Sequence, residues 1–238
     1  MSAINPEYVF EDLEPIGFRV GPPNELSPFA YRALFEVAAD AYTESLAGHR
    51  TEEAVRSMLG QNWERFRADR ISPKEDTVNH ESYTNPYMVI AERNPEEIVG
   101  YGIAYDNTSD TNRALRWAKM HITPQRHAFI REVAVRPGEP KGVGRVIGSL
   151  LLNNFNEAQP VVARTLAEAE AATRYAAALG LTEDDSDTGY ITAFGGYSAL
   201  AMRCTWRAKS VGAAQNYIQA SLAVQEIISS KRDHLQYF

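Results

Sequence analysis

Apolar residues along the chain change period several times, and each change marks a predicted element. Gly17-Phe-Arg-Val20 alternates as a short strand and stops at Gly21-Pro-Pro23. Ser27-Pro28 then offers a capping hydroxyl followed by proline at the first helical position. Tyr31, Phe35, Ala38, Tyr42 and Leu46 recur at helical spacing, and Gly48 closes that helix. Thr51, with Glu52 and Glu53 suited to the positive end of the dipole, opens a second helix striped by Val55, Met58, Leu59 and Phe66. Residues 70–85 read as a polar connector. Two strand-like runs follow, Pro86–Ala91 and Ile98–Tyr105, joined by the turn Asn94-Pro-Glu-Glu97 and expected to pair antiparallel.

In the second half, Ile130-Arg-Glu-Val-Ala-Val135 reads as a buried strand that empties through Gly142 and Gly144 into an apolar-faced helix ending near Leu152. Val161-Val162 begins another strand. Thr165-Leu-Ala-Glu168 has the spacing of a capping box, with an alanine-rich helix expected from there to Leu179 and Gly180 as its stop. Tyr190–Phe194 and Tyr197–Trp206 resemble a strand pair. Residues 209–230 read as an amphipathic helix with Val211, Ala214, Ile218, Leu222 and Ile228 inward. The predicted order is strand, two helices, three strands, helix, strand, helix, strands, helix. Directly joined strands are too many for a doubly wound parallel sheet. The expected class is therefore α/β of the α+β type, a mixed, mostly antiparallel central sheet flanked by helices, with an extra C-terminal helix. Residues 1–16 are expected as a surface extension, 17–206 as the domain, and 207–238 as a helical extension that packs on the domain or on a second copy as a homodimer.

Composition narrows the partners. A net charge of −7 argues against general nucleic-acid binding, which needs clustered Lys and Arg. The single cysteine, Cys204, excludes an intrachain disulfide and any cysteine-based metal cluster, and no metal is expected. No apolar run reaches membrane-spanning length and the N-terminus lacks a signal pattern, so no membrane partner and a cytoplasmic location are expected.

The chemistry concentrates at residues 130–152. A strand that passes through glycines into a helix start leaves backbone N–H groups unpaired at the positive end of the helix dipole, a natural phosphate site. Lys141 and Arg145 flank the turn and add charge.

Two segments together carry a family resemblance. Glu132-Val-Ala-Val135 followed by Lys141-Gly-Val-Gly-Arg145 resembles the central strand and pyrophosphate loop of the GNAT superfamily of acyl-CoA N-acyltransferases. Ala169-Glu-Ala-Ala-Thr-Arg-Tyr-Ala-Ala-Ala-Leu-Gly-Leu181 resembles that family's fourth-helix signature, and the element order from about Gly17 to Trp206 fits it as well. The resemblance implies an N-acetyltransferase moving an acetyl group from acetyl-CoA (coenzyme A as co-substrate) to a primary amine of a small molecule or peptide, by direct attack in a ternary complex. It implies a cofactor site built from Val133, Ala134, Val135, Lys141, Gly142, Val143, Gly144 and Arg145, with Val133 and Val135 offering backbone groups to the pantetheine arm. Glu132 is the implied base, set against a structural ion pair with Arg131 or Arg136.

This chain departs from the family pattern at three places. Glu139, followed by Pro140, stands where relatives place Gln or Arg: either its carboxylate turns away from the pyrophosphate, or Pro140 simply rigidifies a loop of altered length, the reading preferred from the chain. Ala176 stands where many relatives have the tyrosine that protonates the leaving thiolate, and Ala169 where an asparagine contacts the cofactor. Neither alanine can donate a side-chain hydrogen bond, so a GNAT-fold module without turnover is the competing expectation. Tyr175 reads as core. Tyr83, Tyr87, His121 and His127 are further acceptor-side candidates, and the basic stretch Arg113–His127 reads as a solvated loop or an anion-attracting insertion.

Overall fold

The structure, a computed structural model, describes Leu13 and residues 15–71, 74–76, 81–94, 97–109, 126–184, 189–192, 200–219 and 235–238. Strand β1 (Gly17–Gly21) leads through a 3-10 turn into helix α1 (Pro28–Ser45), whose start is built as its sequence requires. Ser27 accepts from the Ala30 N–H, and proline occupies the first turn. Thr51 caps α2 (Glu52–Met58) in the same way. The stripe from Val55 to Phe66 belongs to two helices, not one. Gly60 (φ +106°) and Gln61 (φ +69°) turn the chain out of α2, and α3 (Trp63–Ile71) restarts behind them.

The expected polar connector is also structured in part. After α3 come β2 (Lys74–Asp76), β3 (Glu81–Asn94) and β4 (Glu97–Ser109). The last two form one long antiparallel ladder from Glu81↔Ser109 to Asn94↔Glu97, turning where the Asn-Pro-Glu-Glu signal stands. Then follow β5 (His127–Val135), α4 (Val143–Leu152), β6 (Val161–Leu166), α5 (Glu170–Ala178), β7 (Thr182–Glu183), β8 (Gly189–Thr192), β9 (Leu200–Ala208), α6 (Val211–Gln219) and β10 (Gln236–Tyr237).

Among the described residues these strands form one sheet in the order β10-β1-β3-β4-β5-β6-β9-β7, with β2 on β3 and β8 on β9. Two pairings are parallel, β1 with β10 and β5 with β6, and the others are antiparallel, so the mixed sheet expected from the chain is the one observed. Helix α1 packs on one face with Tyr31, Leu34, Phe35 and Ala38 in a core shared with Phe66, Tyr101, Ile103 and Tyr105. Helix α4 lies on the other face and is buried nearly all round, because the sheet covers one side and α5 and α6 the other. Gly100 and Gly102 let α4 lie close to the sheet: a Cβ on Gly102 would stand 2.6 Å from Ile147 Cγ2 and 2.7 Å from Leu151 Cδ1.

Three further expectations change. Leu13 and Ile16 are buried in the core beneath α4, so the end of the expected surface extension is part of the domain's packing. The capping box fails: Thr165 lies within β6, paired with Cys204 of β9, and its hydroxyl accepts from Trp206 Nε1 (3.0 Å). Helix α5 starts only after Ala169, with no side-chain cap. In α6, Val211, Ala214 and Ile218 face the core as expected, while Leu222 and Ile228 lie outside the described residues, as does most of a dimer-forming surface there. The chain then returns as β10, and Phe238 packs over Gly21. Among the described residues no helix is long and apolar enough to cross a membrane.

The α4–sheet contact gives a direct test. Gly102→Val should destabilise the fold by about 1–3 kcal/mol, since the side chain must displace Ile147 and Leu151 from a close-packed layer. Urea denaturation at constant m-value would read this loss.

Candidate functional site

The central feature is a gap in the sheet. Strands β5 and β6 pair only through Ala128↔Val161, Phe129↔Val162 and Ile130↔Ala163. Beyond that point β5 stays with β4 as far as Val135↔Gly100, and β6 stays with β9 as far as Leu166↔Arg203. The two strands therefore part, and among the described residues no strand pairs with the β6-facing edge of residues 131–135. The Arg136 N–H donates to Val99 O (2.8 Å), which sets the alternation. Ala134 consequently turns its peptide groups toward β4, while Val133 and Val135 turn theirs into the gap. Of the three residues expected to line the cofactor arm, the structure brings Val133 and Val135 to the open edge. Ala134 it leaves in the core, 2% exposed.

The loop after β5 ends at Gly142, which adopts φ +111° as the N-cap of α4 and is followed by Val143, Gly144 and Arg145 in the first turn. No side chain caps this helix, so the first-turn amides point outward at the positive end of the dipole. Lys141 is exposed and Arg145 half-buried beside them. Glu139 is drawn away: Arg93 Nη2 holds its carboxylate at 2.5 Å. Gly144 has a second reason to be glycine, which the chain alone did not show. The Tyr175 ring lies 3.1 Å from where its Cβ would be, and the Tyr175 hydroxyl donates to Gly144 O (2.8 Å). The same hydroxyl would meet a Cβ on Gly148 at 2.6 Å. Tyr175 thus locks α5 onto α4, and burial raises its phenol well above the ordinary range, with Arg145 opposing. Ala176 and Ala169 are both buried.

On the opposite face of the gap a bulge organises the charge. Ile103 pairs with Glu132 and Ala104 with Ile130, so Arg131 is the extra residue on β5. The insertion turns Arg131 and Glu132 together toward α1 and α3. Glu132, 5% exposed, receives two parallel hydrogen bonds from Arg70, Nε to Oε2 and Nη2 to Oε1, each 2.8 Å. The ion-pair partner is therefore Arg70 on α3, not Arg131 or Arg136. Arg131 reaches the Asp69 carboxylate, its main-chain oxygen (3.1 Å) and Tyr105 Oη (3.3 Å), while Arg136 lies 3.6 Å from Asp40. Arg70 also donates to Phe66 O (3.2 Å) and lies 3.5 Å above the Phe66 ring. Burial works against its cation, yet Glu132 outweighs it and the guanidinium is held above its ordinary value.

Two phenols complete this cluster. Tyr101 is fully buried on β4. Tyr42 on α1 is half-buried and packs against the same core. Burial first, and the Glu132 charge second, raise both phenols. The chain's pattern marked Tyr42 only as part of a helical stripe and placed Arg70 in a connector, so neither stood out as a site residue.

Other candidates lie elsewhere. Tyr87 packs in the core on the α4 side, and His127 is buried at the far end of β5. His121, the Tyr83 side chain and Arg113–Lys119 lie outside the described residues, while Arg126 pairs with Asp106 (Nε to Oδ1, 2.7 Å). Cys204 is buried on β9.

No protein-family model matches the chain, and no curated protein sequence matches it. Solved structures do. An acetyltransferase of the GNAT family from Bacillus cereus is 12% identical, with 81% of this chain and 97% of that one covered at a TM-score of 0.40. A histone acetyltransferase HPA2 and related acetyltransferase from Corynebacterium glutamicum is 13% identical over 79% and 95% at 0.43. Arabidopsis thaliana NAA60, solved with a bisubstrate analogue, is 10% identical over 81% and 97% at 0.47.

The Arg70–Glu132 pair predicts a signature in stability. Arg70→Met should cost about 3–5 kcal/mol by leaving a buried carboxylate unpaired, whereas Arg70→Met combined with Glu132→Gln should cost less than Arg70→Met alone. Chemical denaturation of the three proteins measures both.

Proposed function

We propose that the chain is an acyl-CoA-dependent N-acyltransferase that moves an acetyl group from acetyl-CoA to a primary amine in a ternary complex. The observation that carries this reading is the parting of β5 from β6 directly beside the uncapped, glycine-opened start of α4. The amides of Val143, Gly144 and Arg145 suit a pyrophosphate, and Lys141 and Arg145 supply the opposing charge. The free edge at Val133 and Val135 offers peptide groups to the amides of the pantetheine arm. An arm laid along it brings the thioester to the closed end of the gap, beside the bulge and Glu132. The catalytic unit in this reading is residues 17–206, and the acceptor is a small-molecule or peptide amine.

In the reaction the amine nitrogen attacks the thioester carbonyl, the new C–N bond forms, the C–S bond breaks, and coenzyme A leaves as a thiolate. Glu132 is the carboxylate placed to take the amine proton. The two Arg70 bonds leave each of its oxygens a further acceptor position. Tyr175 is not the acid for the thiolate here, since its hydroxyl is committed to Gly144 O. Departure as a free thiolate, protonated by water, is the route these residues support. A coenzyme A-binding module without turnover is the second reading, favoured by the buried alanines at 169 and 176.

Two measurements decide. Acetyl-CoA with a panel of primary amines should release free thiol in proportion to amine, whereas coenzyme A binding without release on any amine identifies the module. Separately, Lys141→Glu with Arg145→Glu should weaken coenzyme A binding by about tenfold or more, roughly 1.4 kcal/mol, and leave binding of pantetheine unchanged. Equal coenzyme A affinity in wild type and variant would remove the pyrophosphate from this turn. Gly144→Asp is a poorer probe, because its side chain strikes Tyr175 whether or not a ligand is present.

A further inference from the structure

Glu168 caps no helix, and its carboxylate is taken up elsewhere. Arg50, in the turn that follows α1, donates from Nε to Glu168 Oε1 (2.9 Å), and its Nη2 stands 2.8 Å from the same oxygen. Both side chains are largely shielded, at 16% and 23% exposure. Their places in the sheet give the pair its meaning. Earlier in the chain, Asp40 on α1 lies 3.6 Å from Arg136, which directly follows β5. Glu168 stands just beyond the end of β6. Residues 40–50 therefore run from the β5 bank of the gap to the β6 bank, on the face toward which Glu132 is turned. The crossing is packed as well as paired. Leu46 is fully buried, and Leu166, Ala169 and Ala172 from the β6 bank join it in one core. An extended polypeptide needs about 4.7–4.9 Å to each chain beside it. A direct contact of 2.8 Å over closely packed side chains leaves no such passage. The pair is nonetheless a weak closure, because a lone ion pair that water still reaches gains little net free energy and is screened by salt.

We propose that the Arg50–Glu168 bridge determines acceptor specificity: it closes the α1 side of the gap to polypeptide chains, so the acceptor is a compact primary amine and not the amine of a peptide. The assignment rests on the reading of the β5–β6 gap as the acyl-CoA site. Neither residue touches the reacting atoms. Both act by holding residues 40–50 against the β6 bank, where Leu46 meets Leu166 and Ala169. The bond-making and bond-breaking steps are those given above, and the bridge sets only which amine reaches the thioester. Opening it would free the end of α1 from the β6 bank while leaving the Asp40–Arg136 contact and the Arg70–Glu132 pair in place. The chemistry would then be retained and the selection lost.

The test measures thiol release from acetyl-CoA by the full chain with two panels, small alkyl primary amines and short peptides carrying a free N-terminus or lysine. The wild type should turn over the best small amine with a kcat/KM at least about tenfold above that of any peptide. Glu168→Gln and Arg50→Gln, which keep side-chain length and remove one charge each, should each raise peptide kcat/KM about tenfold. The small-amine value and coenzyme A affinity should stay within about twofold. A merely structural bridge would move both acceptors together with the thermal midpoint. Raising salt to about 0.5 M should lift the peptide-to-amine ratio of the wild type and leave that of Glu168→Gln unchanged. Arg50→Glu combined with Glu168→Arg should return the ratio to its wild-type value, and a ratio that stays raised there assigns the effect to loosened packing and overturns the bridge. Peptides used as well as small amines by the wild type, or an unchanged ratio in both single variants, overturns it too and leaves the acyltransferase reading standing. No thiol release by the wild type with any amine overturns both.

Discussion

Three residue pairs, Ala128 to Ile130 against Val161 to Ala163, form the one ladder joining β5 to β6 and so tie the β10-β1-β3-β4-β5 half of the sheet to the β6-β9-β7 half. Much of the molecule depends on how short that ladder is. A longer one would close the gap and satisfy the edge of Val133 and Val135. A shorter one would leave the halves joined only by helices. Helices α4 and α5 compensate across the join: Leu152, Ala176 and Leu179 pack with Ala128, Ile130, Val161 and Ala163 in a single cluster, and Tyr175 fastens α5 to α4 through Gly144. The open edge is thus held open by packing on one side of it and by continuous pairing to β4 on the other.

The bulge at Arg131 is the second half of the same design. In regular alternation Arg131 and Glu132 would point to opposite faces. The extra residue places both on the α1–α3 face, where Asp69 and Arg70, also neighbours in sequence, meet them with opposite charge. Two ion pairs side by side anchor α3 to the strand that borders the gap. Their contribution to net stability is modest, because desolvation offsets most of the attraction. What they supply is position: the Glu132 carboxylate cannot rotate without breaking two hydrogen bonds to a buried guanidinium.

Much of the secondary structure was legible because its determinants are local. Ser27 and Thr51 cap helices as their neighbours demand, Gly180 ends α5 at φ +73°, and the Asn-Pro-Glu-Glu turn joins β3 to β4. The misreadings share a cause in tertiary competition. Thr165 has the local pattern of a cap, but pairing with Cys204 draws it into β6. Residues 70–85 are polar enough for a connector, yet Arg70 ends a helix whose buried charge is paid for by a strand 62 residues away. Leu13 and Ile16 carry no pattern of their own and are placed by the underside of α4.

By itself the amino-acid order determined the alternation of strands and helices, the mixed sheet and the glycine-opened start of α4, since each follows from backbone conformation or side-chain period within a few residues; Glu132 became a candidate only through the family resemblance. Only the tertiary structure decided that Glu132 belongs to Arg70 and that Gly144 is bare for Tyr175 as well as for any ligand. Those relations join residues 62 and 31 positions apart. Distances of that kind are set by how layers pack, and no local period records them.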